Sequence, residues 1–414
     1  MNTRRSFYII LLLLITGSVA LAQPLPLTDA DLARRYNFIH PVYNRIFNSN
    51  GLDSFYEKLF RLRQAGKGVV SIVHIGDSHV QGDFMTARVR QSFQQYFGNA
   101  GRGLVFPHRL AGSNPPDDIL TSSPVKWQLN RLAHPELPLT PGIGGFVIRS
   151  LASTASFSIS LKPVNGQPQT FTQIKVFVDD NRSNGWILEP NTGEAPYLLR
   201  REDADSLNYI PVRLGIPSSS ITLSSLPSAS AKEFYGVSME NDSAGVLVHT
   251  IGVNGARYDH YVQSSLFWQQ LPALNADLYI VSMGTNEAQR SVFKGAEFEQ
   301  QVTAMIKRIK EISPNAAILI TTAPDSYKGK VANPVLRQLN QALAAYCNNQ
   351  QIALWDLFRI SGGSGSMLRW IQRGLVNRDR VHYTVEGYRL QGDLLWNALA
   401  LGYNSWWEGK FKSH

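Results

Sequence analysis

The feature that most constrains the fold is an alternation of strand-like and helix-like segments in the last part of the chain. Short runs rich in β-branched residues at 246–253, 277–283, 316–322 and 352–358 are followed in most cases by a segment with helical spacing. Alternation of this kind needs crossover connections, and these build a parallel sheet covered by helices. We therefore expect an α/β fold. The predicted helices of the whole chain span residues 84–96, 259–270, 298–312, 334–348 and 385–401.

An earlier strand belongs to the same pattern and ends at Ser78. Residues 69–75 are mainly β-branched or apolar, and Gly76-Asp77 then forms a turn before the next helix. Ligands bind beyond the carboxyl ends of the strands in open α/β sheets, so Ser78 is a candidate nucleophile. A serine at this junction is also a common helix N-cap, and the G-x-S-x-G pattern of a strained nucleophile turn is absent.

The middle of the chain has a different texture. Between residues 109 and 244, long helical periodicity disappears and short alternating segments are separated by turn signals. This is the pattern of an inserted β-sandwich or jelly roll. Four aromatic residues there suit either sugar stacking or core packing, and core packing is the default. These aromatics are Trp127, Trp186, Tyr197 and Tyr235, and the predicted strands are 155–161, 173–178, 185–188, 221–226 and 233–239.

The first residues predict export. Arg4 and Arg5 precede an apolar run, and small residues end it before Gln23 in the manner of a signal-peptidase site. We expect a signal peptide over residues 1–22 and a periplasmic or extracellular product with no membrane segment after cleavage, an uncleaved anchor being the alternative. The predicted divisions are 1–22 for the signal peptide, 23–108 and 245–414 for the two parts of the α/β domain, and 109–244 for the insertion.

The composition argues against a nucleic-acid-binding protein, a disulfide-stabilised fold and a metal-dependent enzyme. The net charge of +9 is spread without Lys/Arg runs, and an exported protein rarely meets nucleic acid, so no nucleic-acid partner is expected. The single Cys347 excludes an intramolecular disulfide and suits a small core residue. The nine histidines form no H-E-x-x-H motif and have no cysteine partners, so no metal site is expected and no cofactor is implied.

Other strand ends supply the remaining parts of an acyl-transfer site. Gly255 follows the strand at 246–253, Asn286 follows the strand at 277–283, and Asp379 and His382 precede the last helix. Such a site needs a nucleophile, a base, an orienting carboxylate and donors for the oxyanion. Each residue also has a structural explanation: turn positions for Gly255 and Asn286, and a helix-capping Asp with a packed His for the pair.

The chemistry assigns a role to each group. Histidine titrates near ~6.5 when unperturbed, so His382 suits the removal of the Ser78 proton near neutral pH. Asp379 lies three residues before it, which lets its carboxylate reach Nδ1 of the imidazole and turn Nε2 toward the serine. Backbone N–H groups of Ser78 and Gly255 and the side-chain amide of Asn286 are the candidate oxyanion donors.

These blocks resemble the SGNH, or GDSL-type, hydrolase superfamily over residues 69–106 and 245–402. The matching features are Gly76-Asp77-Ser78, Gly255, Gly284-x-Asn286 and Asp379-x-x-His382. The resemblance implies a three-layer, flavodoxin-like hydrolase with Ser78, His382 and Asp379 as the triad and Ser78, Gly255 and Asn286 as the oxyanion hole. Glu287 departs from the resemblance, because many members have Asp at this position. We expect Glu287 to be a surface carboxylate, with orientation of a neighbouring loop as the alternative.

Further residues resemble the peptidoglycan O-acetylesterase branch, which carries a carbohydrate-binding-like β-sandwich at the same place. The resemblance implies an exported serine esterase that removes O-acetyl groups from a cell-envelope glycan, with peptidoglycan as the leading substrate. The alternatives are an esterase for another acetylated polysaccharide such as xylan, a polysaccharide O-acetyltransferase, and a non-catalytic glycan-binding protein. The residues of this second resemblance are His79, the stretch from Gly362 to Met367, Trp370, Gly374 and Leu375.

Overall fold

The computed structural model describes residues 24–28, 31–135, 137–179, 185–204, 207–290 and 292–411. The predicted signal peptide and its cleavage site before Gln23 lie outside these residues. Across the described ranges, no helix combines the length and the apolar character needed to cross a membrane.

The described chain alternates strands and helices at both ends and is β-rich between them. The strands are β1 (Ile46–Phe47), β2 (Val69–Gly76), β3 (Gly101–Val105), β4 (Ile119–Ser122), β5 (Gln128–Arg131), β6 (Phe146–Ser150), β7 (Ser156–Leu161), β8 (Phe171–Val178), β9 (Gly185–Pro190), β10 (Tyr197–Arg200), β11 (Ile210–Ser218), β12 (Ser220–Ser225), β13 (Lys232–Glu240), β14 (Gly245–Gly252), β15 (Leu278–Ser282), β16 (Ala317–Thr321), β17 (Tyr327–Lys328), β18 (Val331–Ala332) and β19 (Ala353–Trp355).

The helices cluster in the first and last parts of the chain. They are α1 (Leu32–Arg35), α2 (Asp53–Ala65), α3 (Ser78–Gln81), α4 (Phe84–Phe97), α5 (Tyr258–Gln263), α6 (Ser265–Gln270), α7 (Thr285–Ala288), α8 (Gly295–Ile312), α9 (Pro334–Asn349), α10 (Leu357–Ile360), α11 (Met367–Gln372) and α12 (Val385–Phe411). Short 3₁₀ turns occur at Pro41–Tyr43, Ser49–Leu52, Arg201–Ala204 and Leu271–Leu274.

A parallel sheet forms the centre of the α/β part. Its order is β1-β19-β16-β15-β2-β14, and every neighbouring pair is parallel except β1 with β19. Strand β2 lies between β15 and β14, and its alternate residues enter two separate cores: Val70 and Ile72 on one face, Val73 and Ile75 on the other. Burial on both faces explains why these strands are continuous apolar runs. The predicted three-layer, flavodoxin-like fold is therefore confirmed.

Three helix and strand boundaries differ from the sequence predictions. The strand expected at 352–358 ends at Trp355, because Asp356 caps α10 by accepting a hydrogen bond from the backbone N–H of Arg359. The helix expected at 259–270 is two helices, since Ser264 has an extended backbone between them. The last helix continues well past residue 401, where its aromatic residues pack against Tyr56 and Phe60 of α2.

The middle of the chain folds into antiparallel sheets. One has the order β10-β9-β12-β7-β4, and the other has the order β11-β8-β13-β6-β5 with β3 also paired to β13. All five strands predicted there are present, and Trp186 and Tyr235 are buried, as core packing predicts. We call residues 109–244 the β-rich module and propose that they form one unit. Strand β3 precedes residue 109 but pairs with β13 of this module.

The β-rich module and the α/β part share one hydrophobic core, which contains Val73 of β2 together with Ile148 of β6. Polar contacts reinforce the junction, because the amide of Ile143 donates to Oε1 of Gln270 at 2.8 Å. Buried charges also cross it: Arg102 of β3 binds both Asp83 and Asp118. These contacts hold the module against the strand ends where the candidate site lies.

Candidate active site

Ser78 occupies the first position of helix α3, directly after strand β2. The N-cap is Asp77, whose Oδ1 accepts the backbone N–H of His79 at 2.9 Å, so the capping role does not fall to Ser78. The turn needs glycine at position 76, since a Cβ there would lie 2.3 Å from Cγ2 of Val80. Ser78 is thus held at the sheet edge with its hydroxyl available for chemistry.

His382 joins Ser78 to Asp379. Its Nε2 lies 2.8 Å from Oγ of Ser78, and its Nδ1 lies 2.8 Å from Oδ2 of Asp379. Oδ1 of Asp379 accepts the backbone N–H groups of Val381 and His382, both at 2.9 Å, which fixes the carboxylate. With Nδ1–H donating to Asp379, Nε2 is free to accept a proton from Ser78. The structure therefore brings together the three residues that the sequence singled out as a triad.

The environment keeps Asp379 ionised. Partial burial acts to raise its pKa, but the hydrogen bonds from Val381 and His382 outweigh this and lower the pKa of Asp379 below its usual 3.8. The site is nevertheless open, with 35% of the His382 side chain and 50% of the Asp379 side chain exposed. A charged carboxylate behind a partly exposed imidazole can stabilise the imidazolium that forms when the serine loses its proton.

The candidate oxyanion donors come from the two strands that flank β2. In the sheet register, Gly76 pairs with Gly252 of β14 and with Ser282 of β15, so Gly255 and Asn286 follow on either side of the nucleophile strand. Gly255 has a φ of +81°, which favours glycine. No hydrogen-bond partner occurs within the described residues for its N–H or for that of Ser78, which leaves both amides available as donors.

The side chain of Asn286 is already held by protein groups. Its Nδ2 donates to the carbonyl oxygen of Ala256 at 2.9 Å and lies 3.4 Å from Oδ2 of Asp77. Both hydrogens of this amide therefore have protein acceptors, and to serve an oxyanion one of them has to leave Oδ2 of Asp77, which is the longer of the two contacts. The carboxyl of Asp77 is fully buried, and burial raises its pKa to about 7.

The expectation for Glu287 is wrong. Its side chain is 4% exposed rather than on the surface, because helix α7 turns it inward. Oε1 accepts the backbone N–H of Tyr258 at 2.9 Å, which ties α7 to the start of α5 just beyond Gly255. Burial raises the pKa of Glu287 to about 7. A glutamate at this position can thus orient the neighbouring loop.

A second histidine supports the triad from behind. The ring of His79 lies 5.3 Å from that of His382, centroid to centroid, and its Nδ1 lies 3.0 Å from the hydroxyl of Tyr388 in α12. Burial, together with the nearby His382, lowers the pKa of His79 to about 3, so this ring stays neutral. The sequence did not point to Tyr388, because its contact with His79 depends on the tertiary position of α12, which packs against α4.

The described residues include no group of three or more His, Cys, Asp or Glu side chains that could hold a metal ion. Cys347 is buried, which agrees with the predicted core role.

Comparison with known families gives the class of protein. Residues 225–390 match the model of the GDSL-like lipase/acylhydrolase family. The matched segment includes Gly255, Asn286, Asp379 and His382. It begins at residue 225, within the β-rich module, and so does not include Ser78. Residues 225–390 thus form a GDSL-like lipase/acylhydrolase domain, and the fold around it supports an esterase of the SGNH type.

Solved structures resemble this chain to different extents. A peptidoglycan O-acetylesterase shares the fold with a TM-score of 0.70 and 23% identity, over 85% of this chain and 96% of that chain. A lipase/acylhydrolase from Enterococcus faecalis matches with a TM-score of 0.30 and 18% identity, over 38% of this chain and 76% of that one. An acetylxylan esterase from Geobacillus stearothermophilus matches with a TM-score of 0.29 and 14% identity, over 38% and 71%. No curated protein sequence matches the chain significantly.

Proposed function

We propose that this protein is an exported serine esterase that removes O-acetyl groups from a cell-envelope glycan, with peptidoglycan as the leading substrate. Ser78 is the nucleophile, His382 the general base and Asp379 the orienting acid. The observation that carries the proposal is the pair of 2.8 Å contacts from the His382 ring, one to Ser78 and one to Asp379. No metal or organic cofactor is needed for this chemistry.

The geometry suggests a two-step reaction. His382 Nε2 accepts the Ser78 proton while Oγ attacks the acetyl carbonyl carbon, and the resulting oxyanion accepts hydrogen bonds from Ser78 N–H, Gly255 N–H and Asn286 Nδ2. The glycan oxygen then leaves with the proton held by His382, and acetyl-Ser78 remains. Water, deprotonated by His382, attacks this ester, and its breakdown returns the proton to Ser78 and releases acetate.

Two observations support a polymeric glycan as the substrate. The triad is open to solvent, with half of the Asp379 side chain exposed, and an open site admits an acetyl group that projects from a long chain. The fold extends over nearly the whole length of a peptidoglycan O-acetylesterase. The apolar run before Gln23 supports export, because it has the flanks of a signal peptide.

Acetate release from isolated O-acetylated peptidoglycan tests the proposal. The protein is purified without its predicted signal peptide and compared with Ser78→Ala and Ser92→Ala. Ser92 is a buried helical serine whose hydroxyl donates to the carbonyl of Arg88, so its variant controls for the loss of a buried hydroxyl. We expect acetate from the parent and from Ser92→Ala and none above background from Ser78→Ala.

The substrate arm of the experiment uses acetylated xylan. Release from xylan alone would overturn peptidoglycan as the substrate and keep the serine mechanism. If the acetyl group is instead transferred to an added glycan acceptor and no free acetate forms, the protein is an O-acetyltransferase. Wall binding that survives Ser78→Ala, with no ester cleavage by the parent, would indicate a glycan-binding protein.

A further inference from the structure

Gln81 connects the helix that carries the nucleophile to two other parts of the molecule. It is 4% exposed and lies three residues after Ser78, in the last position of α3. Oε1 accepts the backbone N–H of Asn254 at 2.7 Å. Nε2 donates to Oγ of Ser113 at 2.7 Å and to the carbonyl of Asn114 at 3.3 Å. The amide thus uses its acceptor and both donor directions in contacts with groups outside its own helix.

These partners belong to different functional parts. Asn254 precedes Gly255 in residues 253–256, which we call the oxyanion loop. Ser113 and Asn114 belong to the β-rich module. Gln81 therefore lies between the module and the loop, and it is fixed to the helix whose first residue is Ser78.

The β-rich module also contacts the oxyanion loop directly. A Cβ added to Gly255 would lie 3.2 Å from Cδ2 of His134, so the imidazole of this module residue packs closely over the glycine. A Cβ added to Gly145 would lie 2.3 Å from Cγ2 of Val253, which shows how near the module backbone comes to the start of the loop. Module residues and Gln81 thus both contact the oxyanion loop, in which Asn254 is exposed and Gly255 is half-buried.

We propose that Gln81 is a positioning residue that lets the β-rich module fix the oxyanion loop, and that the module is thereby part of the catalytic apparatus. Gln81 does not touch the reacting atoms. It acts through the backbone N–H of Asn254, whose position sets the direction of the next amide, that of Gly255. Oxyanion donors contribute only when they are aligned in advance with the developing charge.

The position of Gln81 predicts the direction and the size of the change in kcat when its amide is removed. Loss of the Gln81 amide frees the loop to move, and a displacement of ~1 Å in catalytic groups can cost ~10²-fold in rate. Because the oxyanion forms only in the transition state, the loss falls on kcat and leaves KM nearly unchanged. This proposal rests on the proposed esterase function, but the mobility of the loop can be measured without any substrate.

The test compares Gln81→Met with Gln270→Met. Gln270 is 3% exposed and accepts the amide of Ile143 in the β-rich module, so its variant also removes a buried glutamine that joins the two parts. Hydrogen exchange of the oxyanion loop is measured in both variants, and hydrolysis of a small aryl acetate is normalised to the active-site titre. A milder variant, Ser113→Ala, removes one acceptor on the module side and serves if Gln81→Met folds poorly.

For Gln81→Met, we expect exchange of the loop to accelerate at least ~10-fold and kcat to fall by ~10- to 100-fold, with KM within about twofold of the parent. Gln270→Met should leave the exchange of the loop and kcat near the parent values. Ser113→Ala should lower kcat only in the presence of Gln81, so that its effect disappears in the Gln81→Met background.

Either of two results would overturn the positioning role: loop exchange in Gln81→Met equal to the parent, or a kcat loss that Gln270→Met reproduces. A parent enzyme that cleaves no ester would refute the esterase function instead. In that case the exchange data still decide whether Gln81 holds the loop.

Discussion

At the scale of single residues, the site is a histidine held between a serine and a carboxylate that is itself fixed by backbone amides. Oδ1 of Asp379 takes two backbone N–H groups, so only Oδ2 is directed at the imidazole. The carboxylate is thus directed at the imidazole of His382.

Replacement of Asp379 by Ala should lower kcat/KM by ~10²- to 10⁴-fold, because the imidazole loses the group that fixes its tautomer. The half-exposed position of Asp379 favours the smaller value, since water can take its place beside Nδ1. Steady-state hydrolysis of an aryl acetate provides the measurement, and Ser78→Ala gives the background rate. A loss below about threefold would contradict the orienting role.

The pH profile should report one group in the triad region. His79 stays neutral because its pKa is lowered to about 3, and Asp379 stays charged because its pKa is below the usual value. We therefore expect kcat/KM to rise with pH and then to level off, because a general base accepts the Ser78 proton only in its unprotonated form. A flat profile between about pH 5 and pH 8 would argue against His382 as the base.

Asp77 requires a control in that experiment, since burial raises its pKa to about 7. The same profile is measured with Asp77→Asn, in which the side chain at the cap of α3 cannot ionise. The rising limb should persist in this variant relative to its own plateau. If it disappears, the limb belongs to Asp77.

At the scale of elements, the site depends on short helices that begin directly after strands. The sequence located these junctions well, because β-branched runs followed by Gly and Asn mark strand ends without any knowledge of the partners. It did not locate Gln81, Tyr388 or the inward turn of Glu287. Gln81 contacts the β-rich module, Tyr388 of α12 contacts His79 of α3, and Glu287 contacts the start of α5. Such pairings are set by packing rather than by local pattern.

The Glu287 carboxyl should make stability depend on pH. Its pKa is raised by burial from 4.5 to about 7, so the folded chain holds this proton more tightly than the unfolded chain does. Its stabilising effect is complete below about pH 4.5 and is lost as the pH rises through about 7. Between pH 5 and pH 8, we expect a decrease in the free energy of unfolding on the order of 2 kcal/mol from this group.

Urea unfolding at the two pH values tests this expectation. Glu287→Gln keeps an oxygen for the N–H of Tyr258 and should remove about that amount of the pH dependence. Glu297→Gln, at a carboxylate with 41% of its side chain exposed, should leave the dependence unchanged. Equal pH dependence in all three proteins would show that Glu287 does not carry a raised pKa.

At the scale of the whole molecule, the β-rich module and the α/β part are joined by a shared core and by buried charges. Arg102 bridges Asp83 and Asp118, and its side chain is 2% exposed. Without Arg102, Asp83 keeps its hydrogen bonds with Arg90, but Asp118 loses its cationic partner and leaves buried charge without compensation. The sequence predicted a β-rich insertion, but it contained no local sign that the insertion would share a core with the α/β part.

Arg102→Met should therefore lower the free energy of unfolding by ~3 to 5 kcal/mol. The comparison is Arg213→Met, which breaks an ion pair between side chains 70% and 46% exposed and should cost at most ~1 kcal/mol. Calorimetry should show one transition that moves as a whole in Arg102→Met. Two separate transitions, or a loss of unfolding free energy no larger than that in Arg213→Met, would contradict a single cooperative unit made of the β-rich module and the α/β part.

The register of the central sheet has a consequence for the order in which the enzyme becomes competent. Strands β2 and β14 pair along their full length, although the entire β-rich module lies between them in the chain. Closure of so long a loop costs entropy and slows the pairing until the module has folded and shortened the connection. Gly255 lies beyond β14, and His382 follows it by more than a hundred residues. A newly made chain therefore has no complete candidate site until the residues from Ser78 to His382 have all been synthesised and folded.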